Sequence, residues 1–223
     1  MNKATNSIDM RNFNNLKKIN IGSGGACKDN YLNIDFDSND KAIYSRIKTP
    51  ELIADITTLI FDENSLEEIY SSHWFEHNFR HHAVILLSRF NKWLQQNGKL
   101  NLLMPDANAC MNEFINANYR RKKELIRHMA GSHEDETWSI HKELYFNENL
   151  KEMLFATGFD NFIFKNVGGQ WPYIEVRCEK IRKPNIALIE NYLHDYSPDV
   201  VGYPNTLLVY WMNKIKEELE NVI

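Results

Sequence analysis

The sequence predicts an α/β fold built on a mainly parallel, doubly wound sheet, and three observations carry that reading. Strand-like apolar runs alternate with segments of helical spacing, the pattern of a parallel sheet with crossover helices. A glycine loop, GSGG at 22–25, directly follows the first strand run. Acids, Asp35 and Asp55, close the next two strand runs. Ligands of a doubly wound sheet bind outside the C-terminal ends of its strands, so the same features mark a candidate site.

The elements follow in order along the chain. Residues 1–16 are rich in Asn and are expected to form a flexible leader. KKINIG (17–22) reads as a short buried strand, and YLNIDF (30–36) as a second that ends in acid. Residues 38–50 are polar and close on Thr49-Pro50, a surface excursion. LIADI (52–56) is the third strand candidate, DENS (62–65) a turn and EEIYSS (67–72) the fourth strand. From Trp74 to about Gln96, Phe75, Phe79, Val84, Leu87, Phe90 and Leu94 keep helical spacing, and Asn97-Gly98 is the expected stop. KLNLLMPD (99–106) is the fifth strand. Residues 107–146 read as helix plus loop, and NENLKEMLFATGF (147–159) as a helix. NFIFKNV (161–167) and YIEVRCEK (173–180) are two closing strands joined by a Gly-Gly turn. An amphipathic helix over 206–222 carries Leu207, Leu208, Trp211, Met212, Ile215 and Leu219. Its stripe is expected to pack on its own domain, with a homodimer interface as the alternative.

Composition bounds the function. The chain has 223 residues, a net charge of −4 and 43% hydrophobic residues, as expected of one ordinary globular core. With a pI near 6.1 it shows no electrostatic footprint for nucleic acid or an anionic membrane. The longest apolar stretches, such as AVILL at 83–87, are too short to span a bilayer. The N-terminal MNKATNSIDMRNFNN lacks a signal-peptide core, and the three cysteines, Cys27, Cys110 and Cys178, form no C-x-x-C pair. A cytoplasmic protein with a small-molecule substrate is expected.

Gly22, Gly24 and Gly25 sit where glycines let the backbone approach a ligand. Asp35, thirteen positions after Gly22, and Asp55 can accept hydrogen bonds from a ribose diol and an adenine amino group. Alone, each of these acids would be read as a helix cap or a solvated loop residue. A nicotinamide dinucleotide would need a third glycine where Cys27 stands, and a helix N-terminus facing its pyrophosphate. ACKDN leaves little room for such a helix, so a nucleoside ligand without phosphates fits better.

INIGSGG, YLNIDF, ADITTLIFDENSLEEIYSSHWFEH, GKLNLLMPD and HKELYFNENLKEMLFATGFDNF, in that order, resemble the class I S-adenosylmethionine-dependent methyltransferases, and within them the methyltransferase type 11 group. The resemblance implies a Rossmann-like doubly wound, mostly parallel seven-stranded sheet with an antiparallel last strand and helices on both faces. It implies a methyltransferase domain over 17–183 with a C-terminal helical extension at 184–223. By the same resemblance, Gly22, Ser23 and Gly24 would line the methionine end of S-adenosylmethionine and Asp35 would hold its ribose. Asp55 and Ile56 would flank the adenine, and Ser72 and His73 would face the sulfonium. The loop at Ala26–Asn30 is shorter than in many members. The group occurs with bacterial surface-polysaccharide genes, which implies a sugar, nucleotide sugar or phosphorylated precursor as acceptor. The alternatives are a nicotinamide oxidoreductase and a non-catalytic binding protein of the same fold.

If the acceptor is a hydroxyl or a protonated amine, a base near neutrality helps to remove its proton. His73 is the first candidate, His141 the second and Asp106 the third. His73, Glu76 and His77 also spell H-x-x-E-H, a metallopeptidase-like pattern. A third ligand is needed there; Glu113 or Glu124 can be proposed and nothing selects either, so no metal is expected. His81, His82 and His133 read as surface histidines. Tyr119, Arg120, Arg121, Lys122, Lys123 and Arg127 read as a solvated basic helix face, or as a cap for an anionic substrate. Trp138, Trp171 and Tyr173 could wall an acceptor pocket.

Overall fold

The computed structural model describes residues 8–9, 16–36, 49–132, 139–197 and 206–219. Its strands are β1 (Ile8–Asp9), β2 (Lys18–Ile21), β3 (Leu32–Asp35), β4 (Leu52–Ile53), β5 (Leu59–Ile60), β6 (Leu66–Ser72), β7 (Leu94–Pro105), β8 (Phe159–Val167) and β9 (Tyr173–Lys180). The helices are α1 (Arg80–Trp93), α2 (Ala107–Asn116), α3 (Tyr119–Ala130), α4 (Asn147–Ala156), α5 (Ile186–His194) and α6 (Thr206–Leu219). Seven strands form one sheet in the order β4-β3-β2-β6-β7-β9-β8. β9 runs antiparallel between β7 and β8, and the remaining pairs are parallel. This is the Rossmann-like sheet with an antiparallel last strand that the sequence implies. The chain moves outward from β2 through β3 to β4, then returns to β6 on the other side of β2. The switch point therefore lies between β2 and β6.

Alternation along the strands sorts the side chains. Ile19, Leu32, Ile69, Leu100 and Cys178 stand in register on one face and are buried. Helices α1, α4, α5 and α6 gather over that face, linked by contacts of α1 with α6, α6 with α5 and α5 with α4. Leu208, Trp211, Met212 and Ile215 of α6 are buried there, whereas Leu207 is exposed and Leu219 lies outside the described side chains. The opposite face carries a polar network: Lys18 pairs with Glu68 at 3.3 Å, Asn101 donates to Glu68 at 2.6 Å, and the Lys28 ammonium lies 4.0 Å from the Tyr70 ring centre. Residues 37–48, between β3 and β4, are outside the described set.

Several expected bounds shift, each for a tertiary reason. The helix expected from Trp74 to Gln96 is divided into a 3-10 turn at Phe75–His77 and α1. α1 stops at Trp93 because Leu94 pairs with Leu66 and enters β7. Asn97-Gly98 is thus not a helix stop; Asn97, at φ 61°, lies where the β6–β7 register jumps from Leu66 to Glu68. LIADI is strand only at Leu52–Ile53 and becomes a 3-10 turn at Ile56–Thr58. α5 falls within the expected helical extension at 184–223, although no helix was delimited there, and the pairing of β1 with β5 was not expected.

The link between β2 and β3 holds no helix. Two asparagines on the polar sheet face take the place of one. Asn20 donates to Asn33 at 2.8 Å and to the Ala26 carbonyl at 3.2 Å, and Asn33 accepts from the Lys28 amide at 2.7 Å. Buried amides satisfied in this way fix the loop without an apolar helix beneath it.

Candidate functional site

The C-terminal ends of β2, β3, β6 and β7 meet at one edge, and the site builds from the glycine loop outward. The Gly22 and Ser23 amides both donate to the Ile34 carbonyl, at 2.9 and 3.2 Å. The Gly24 amide donates to the Asp35 carboxylate, whose other oxygen accepts from the Phe36 amide at 2.7 Å. Asp35 therefore ties the loop to β3. Gly22 and Gly24 have φ of 65° and 49°, where a Cβ is disfavoured. The two differ in surroundings: a Cβ on Gly22 would collide with the Trp74 indole, while on Gly24, among the described residues, it would make an ordinary contact with Asp35 Oδ2 at 3.9 Å. Trp74 closes over Gly22.

At the next strand end, Asp55 caps the 3-10 turn through the Thr57 amide at 2.9 Å and hydroxyl at 2.8 Å. Ala54 donates to the Asp35 carbonyl at 2.8 Å, which holds the Asp35 and Asp55 segments side by side. The Ile56 side chain is in the core, so only its backbone can face a ligand. Gly24, Asp35 and Asp55 thus form an acid-flanked cradle at the strand ends.

Across the switch point stands a histidine cluster. His73 ends β6, its amide donating to Leu103 O at 2.8 Å, and holds a left-handed φ of 52° that is uncommon for a residue with a side chain. Its Nδ1 lies 3.4 Å from Glu76 Oε1, and its ring centre 6.2 Å from Tyr173 and 6.4 Å from His128. His128 Nε2 donates to Pro172 O at 2.8 Å, and its ring lies tilted against Trp171 with centres 5.4 Å apart. Trp171 and Tyr173 thus stand beside this cluster; Trp138 and His133 lie outside the described residues. His141 Nε2 is 3.9 Å from Glu76 Oε1, and the His77 and His141 rings are 4.7 Å apart. Burial pushes both His128 and His141 below the ordinary histidine pKa. Glu76 is 1% exposed, and neither of its carboxylate oxygens receives a hydrogen bond.

Asp106 does not stand as a free base. It is buried, caps α2 through the Ala109 amide at 2.9 Å and accepts from Asn166 at 2.7 Å, so both oxygens are committed to structure. Glu113 and Glu124, the third ligands once considered for H-x-x-E-H, are instead held by Arg121. Arg121 also donates to the carbonyls of Gly169 and Gln170, pinning α3 to the β8–β9 turn. The basic run is thus mostly a structural and solvated face. His81 is buried rather than solvated, lying near Trp211 of α6.

Beside His141 opens a cavity of about 710 Å³, lined among others by Arg80, Asn108, Met111, Lys142, Phe146 and Tyr196. Arg80 pairs with Glu143 at 2.7 Å and lies 3.6 Å from the Tyr196 ring centre.

No family model matches the chain, and no curated protein matches it. Solved structures do. An S-adenosylmethionine-dependent methyltransferase from Archaeoglobus fulgidus superposes with a TM-score of 0.50 at 16% identity, over 76% of this chain and 90% of that one. The fold is that of the class I S-adenosylmethionine-dependent methyltransferases. A possible exported protein from Bordetella parapertussis is similar at a TM-score of 0.49 and 12% identity, over 75% of this chain. The CurJ carbon methyltransferase is similar at 0.45 and 14%, also over 75% of this chain. This chain spans 62% and 49% of those two, less than two thirds of either. In this methyltransferase fold the glycine loop and His73 lie on opposite sides of the switch point. Among the described residues no helix is long and apolar enough to cross a membrane.

The sequence singled out the loop and both acids. It also named His73 and His141 but did not link either to a buried Glu76, and it passed over His128. The sequence marked Glu76 and His77 within H-x-x-E-H but looked for the third partner at Glu113 or Glu124, not at His141 just ahead of α4.

Proposed function

We propose that this protein is an S-adenosylmethionine-dependent methyltransferase acting on a small polar metabolite, of the class of a sugar, nucleotide sugar or phosphorylated glycan precursor. The observation that carries the reading is the pairing, across one switch point, of an acid-flanked glycine cradle with an exposed histidine. When bound, the cofactor supplies an electrophilic methyl group and a neutral thioether leaving group. Asp35 holds the ribose hydroxyls, Asp55 flanks the adenine, Gly24 lines the methionine end, and Ser72 and His73 close the methyl end.

His73 takes the proton of an acceptor hydroxyl, a contribution of about 10²–10⁴ in rate. Tyr173 stands beside it, its ring centre 6.2 Å away. The cavity next to His141 is of a size for a sugar, and Lys142 at its wall favours an acceptor that carries an anionic group. The glycan context rests on the sequence resemblance alone.

The test is calorimetry with S-adenosylhomocysteine and NAD, then mass spectrometry of a nucleotide-sugar and sugar-phosphate pool incubated with isotope-labelled cofactor. Binding of S-adenosylhomocysteine, and a product heavier by one labelled methyl, are expected. Tighter binding of NAD would move the protein to the oxidoreductases. Binding without any product from a broad pool would favour a non-catalytic role.

A further inference from the structure

We propose that Glu76, His77 and His141 form a binding site for a divalent transition-metal ion of the zinc class, with one coordination position left open for an acceptor oxygen. One ligand atom from each of the three residues lies within 4.8 Å of the others. Ligands of a tetrahedral zinc at about 2.0–2.1 Å stand roughly 3.4 Å apart. The cluster is therefore slightly open and would draw in around an ion.

Two features separate this cluster from a chance meeting of polar groups. The first is Glu76. Among the described residues it is 1% exposed and both oxygens lack a hydrogen-bond donor, with His73 Nδ1 at 3.4 Å and His141 Nε2 at 3.9 Å. A buried carboxylate left in this state is costly, and buried charges are normally paired or coordinate metals.

The second is the orientation of the two imidazoles. His77 Nδ1 lies 3.1 Å from Ile140 O, and His141 Nδ1 lies 3.1 Å from Met129 O. A carbonyl can only accept, so each ring places its N–H there and keeps the Nε2 lone pair for a ligand. Metal-bound histidines are held in this way by an outer carbonyl or carboxylate. The backbone is arranged to match: the Glu76 carbonyl accepts from the Lys142 amide at 2.8 Å, which fixes the 140s segment against the 3-10 turn.

Donor chemistry selects the ion. Two imidazoles and one carboxylate suit zinc or a neighbouring first-row cation, whereas magnesium and calcium prefer all-oxygen sites. Three protein ligands with one position free is the arrangement of a catalytic rather than a structural zinc. His141 lines the 710 Å³ cavity, and His73 stands next to Glu76, so an acceptor hydroxyl or carboxylate oxygen in that space would reach the ion. A hydroxyl held there has a lowered pKa. This role in acceptor activation rests on the methyltransferase reading; the metal site itself does not.

The experiment titrates zinc chloride into chelator-stripped protein by competition calorimetry, with S-adenosylhomocysteine binding and thermal unfolding measured in parallel. One zinc per chain is expected, weakened at least about 100-fold in Glu76→Gln, His77→Ala and His141→Ala, at unchanged S-adenosylhomocysteine affinity. Losing a ligand should cost no less than losing its outer-shell partner, about 10–100-fold. Zinc should raise the unfolding temperature of the wild type and leave that of Glu76→Gln unmoved. Without metal, Glu76→Gln should unfold at a higher temperature than the wild type, because an amide with donors of its own replaces a buried carboxyl that receives no hydrogen bond. Zinc affinity equal in the wild type and the triple variant, or absent from both, overturns the site and leaves Glu76 as an electrostatic partner of His73 and His141. Zinc binding without S-adenosylhomocysteine binding would uphold the site and overturn the methyltransferase reading.

Discussion

The two sides of the switch point are built on opposite terms. On the β2–β3–β4 side the chain satisfies itself: Gly22, Ser23 and Gly24 give their amides to Ile34 and Asp35, Asp55 caps its own turn, and Asn20 and Asn33 hold the loop behind. On the β6 side the histidines His77, His128 and His141 are held by backbone carbonyls, but the carboxylate they surround is not hydrogen-bonded. His73 is held at φ 52°, and Glu76 is buried with no hydrogen bond. A self-satisfied frame suits a ligand that is held in one place and exchanged whole. A cluster with unmet electrostatic demand suits a group whose charge changes, either a reacting acceptor or a bound cation.

The contrast can be broken at either side. The largest effect is expected from His73→Ala, which should slow methyl transfer by about 10²–10⁴-fold. S-adenosylhomocysteine affinity should stay near normal, because the loop and Asp35 lie on the other side. Wild-type rates in steady-state assays would move the base elsewhere.

Asp35→Ala should weaken S-adenosylhomocysteine binding by about 1–3 kcal/mol, the scale of a hydrogen bond to a charged group. Calorimetry reads this directly, and an unchanged affinity would remove Asp35 from the site. The loop also hangs on Asp35 through Gly24, so both lost ligand contacts and lost loop order would contribute.

The two glycines sharpen the comparison within one side. Gly22→Ala forces a Cβ into Trp74 at a positive φ and should destabilise the fold by about 1–3 kcal/mol, whereas Gly24→Ala meets no clash among the described residues and should cost about 1 kcal/mol from φ. Denaturant melts should therefore rank Gly22→Ala below Gly24→Ala. The reverse order would mean that Trp74 moves aside easily.

The smallest effect concerns the helical layer away from the site. Burial against α6 lowers His81 to about 4, with smaller contributions from the neighbouring His82 and Lys214. The unfolded chain takes up a proton near pH 6.5 and the folded chain only near pH 4. The stability linked to this group is therefore complete above pH 6.5 and lost as pH falls toward 4. His81→Leu should flatten the fall in unfolding free energy between pH 7 and 5. It should flatten it only in part, because burial also lowers His82.

What the sequence determined by itself was the local content: which runs form strands, where the chain turns, and which strand ends carry glycine or acid. β9 falls at Tyr173–Lys180, the same residues the alternation picks out, because that pattern is set by neighbours along the chain. The positions of Gly24, Asp35 and Asp55 were legible for the same reason. Helix ends were not: α1 yields at Leu94 to a pairing with Leu66, a partner 28 positions away. Only the tertiary structure decided that Asp106 is spent on a cap and on Asn166, that His81 is interior, and that His141 meets Glu76 and His77. These are contacts between segments 60 or more residues apart, and no periodicity or local spacing carries information about which distant side chains a closed sheet edge brings within reach of one another.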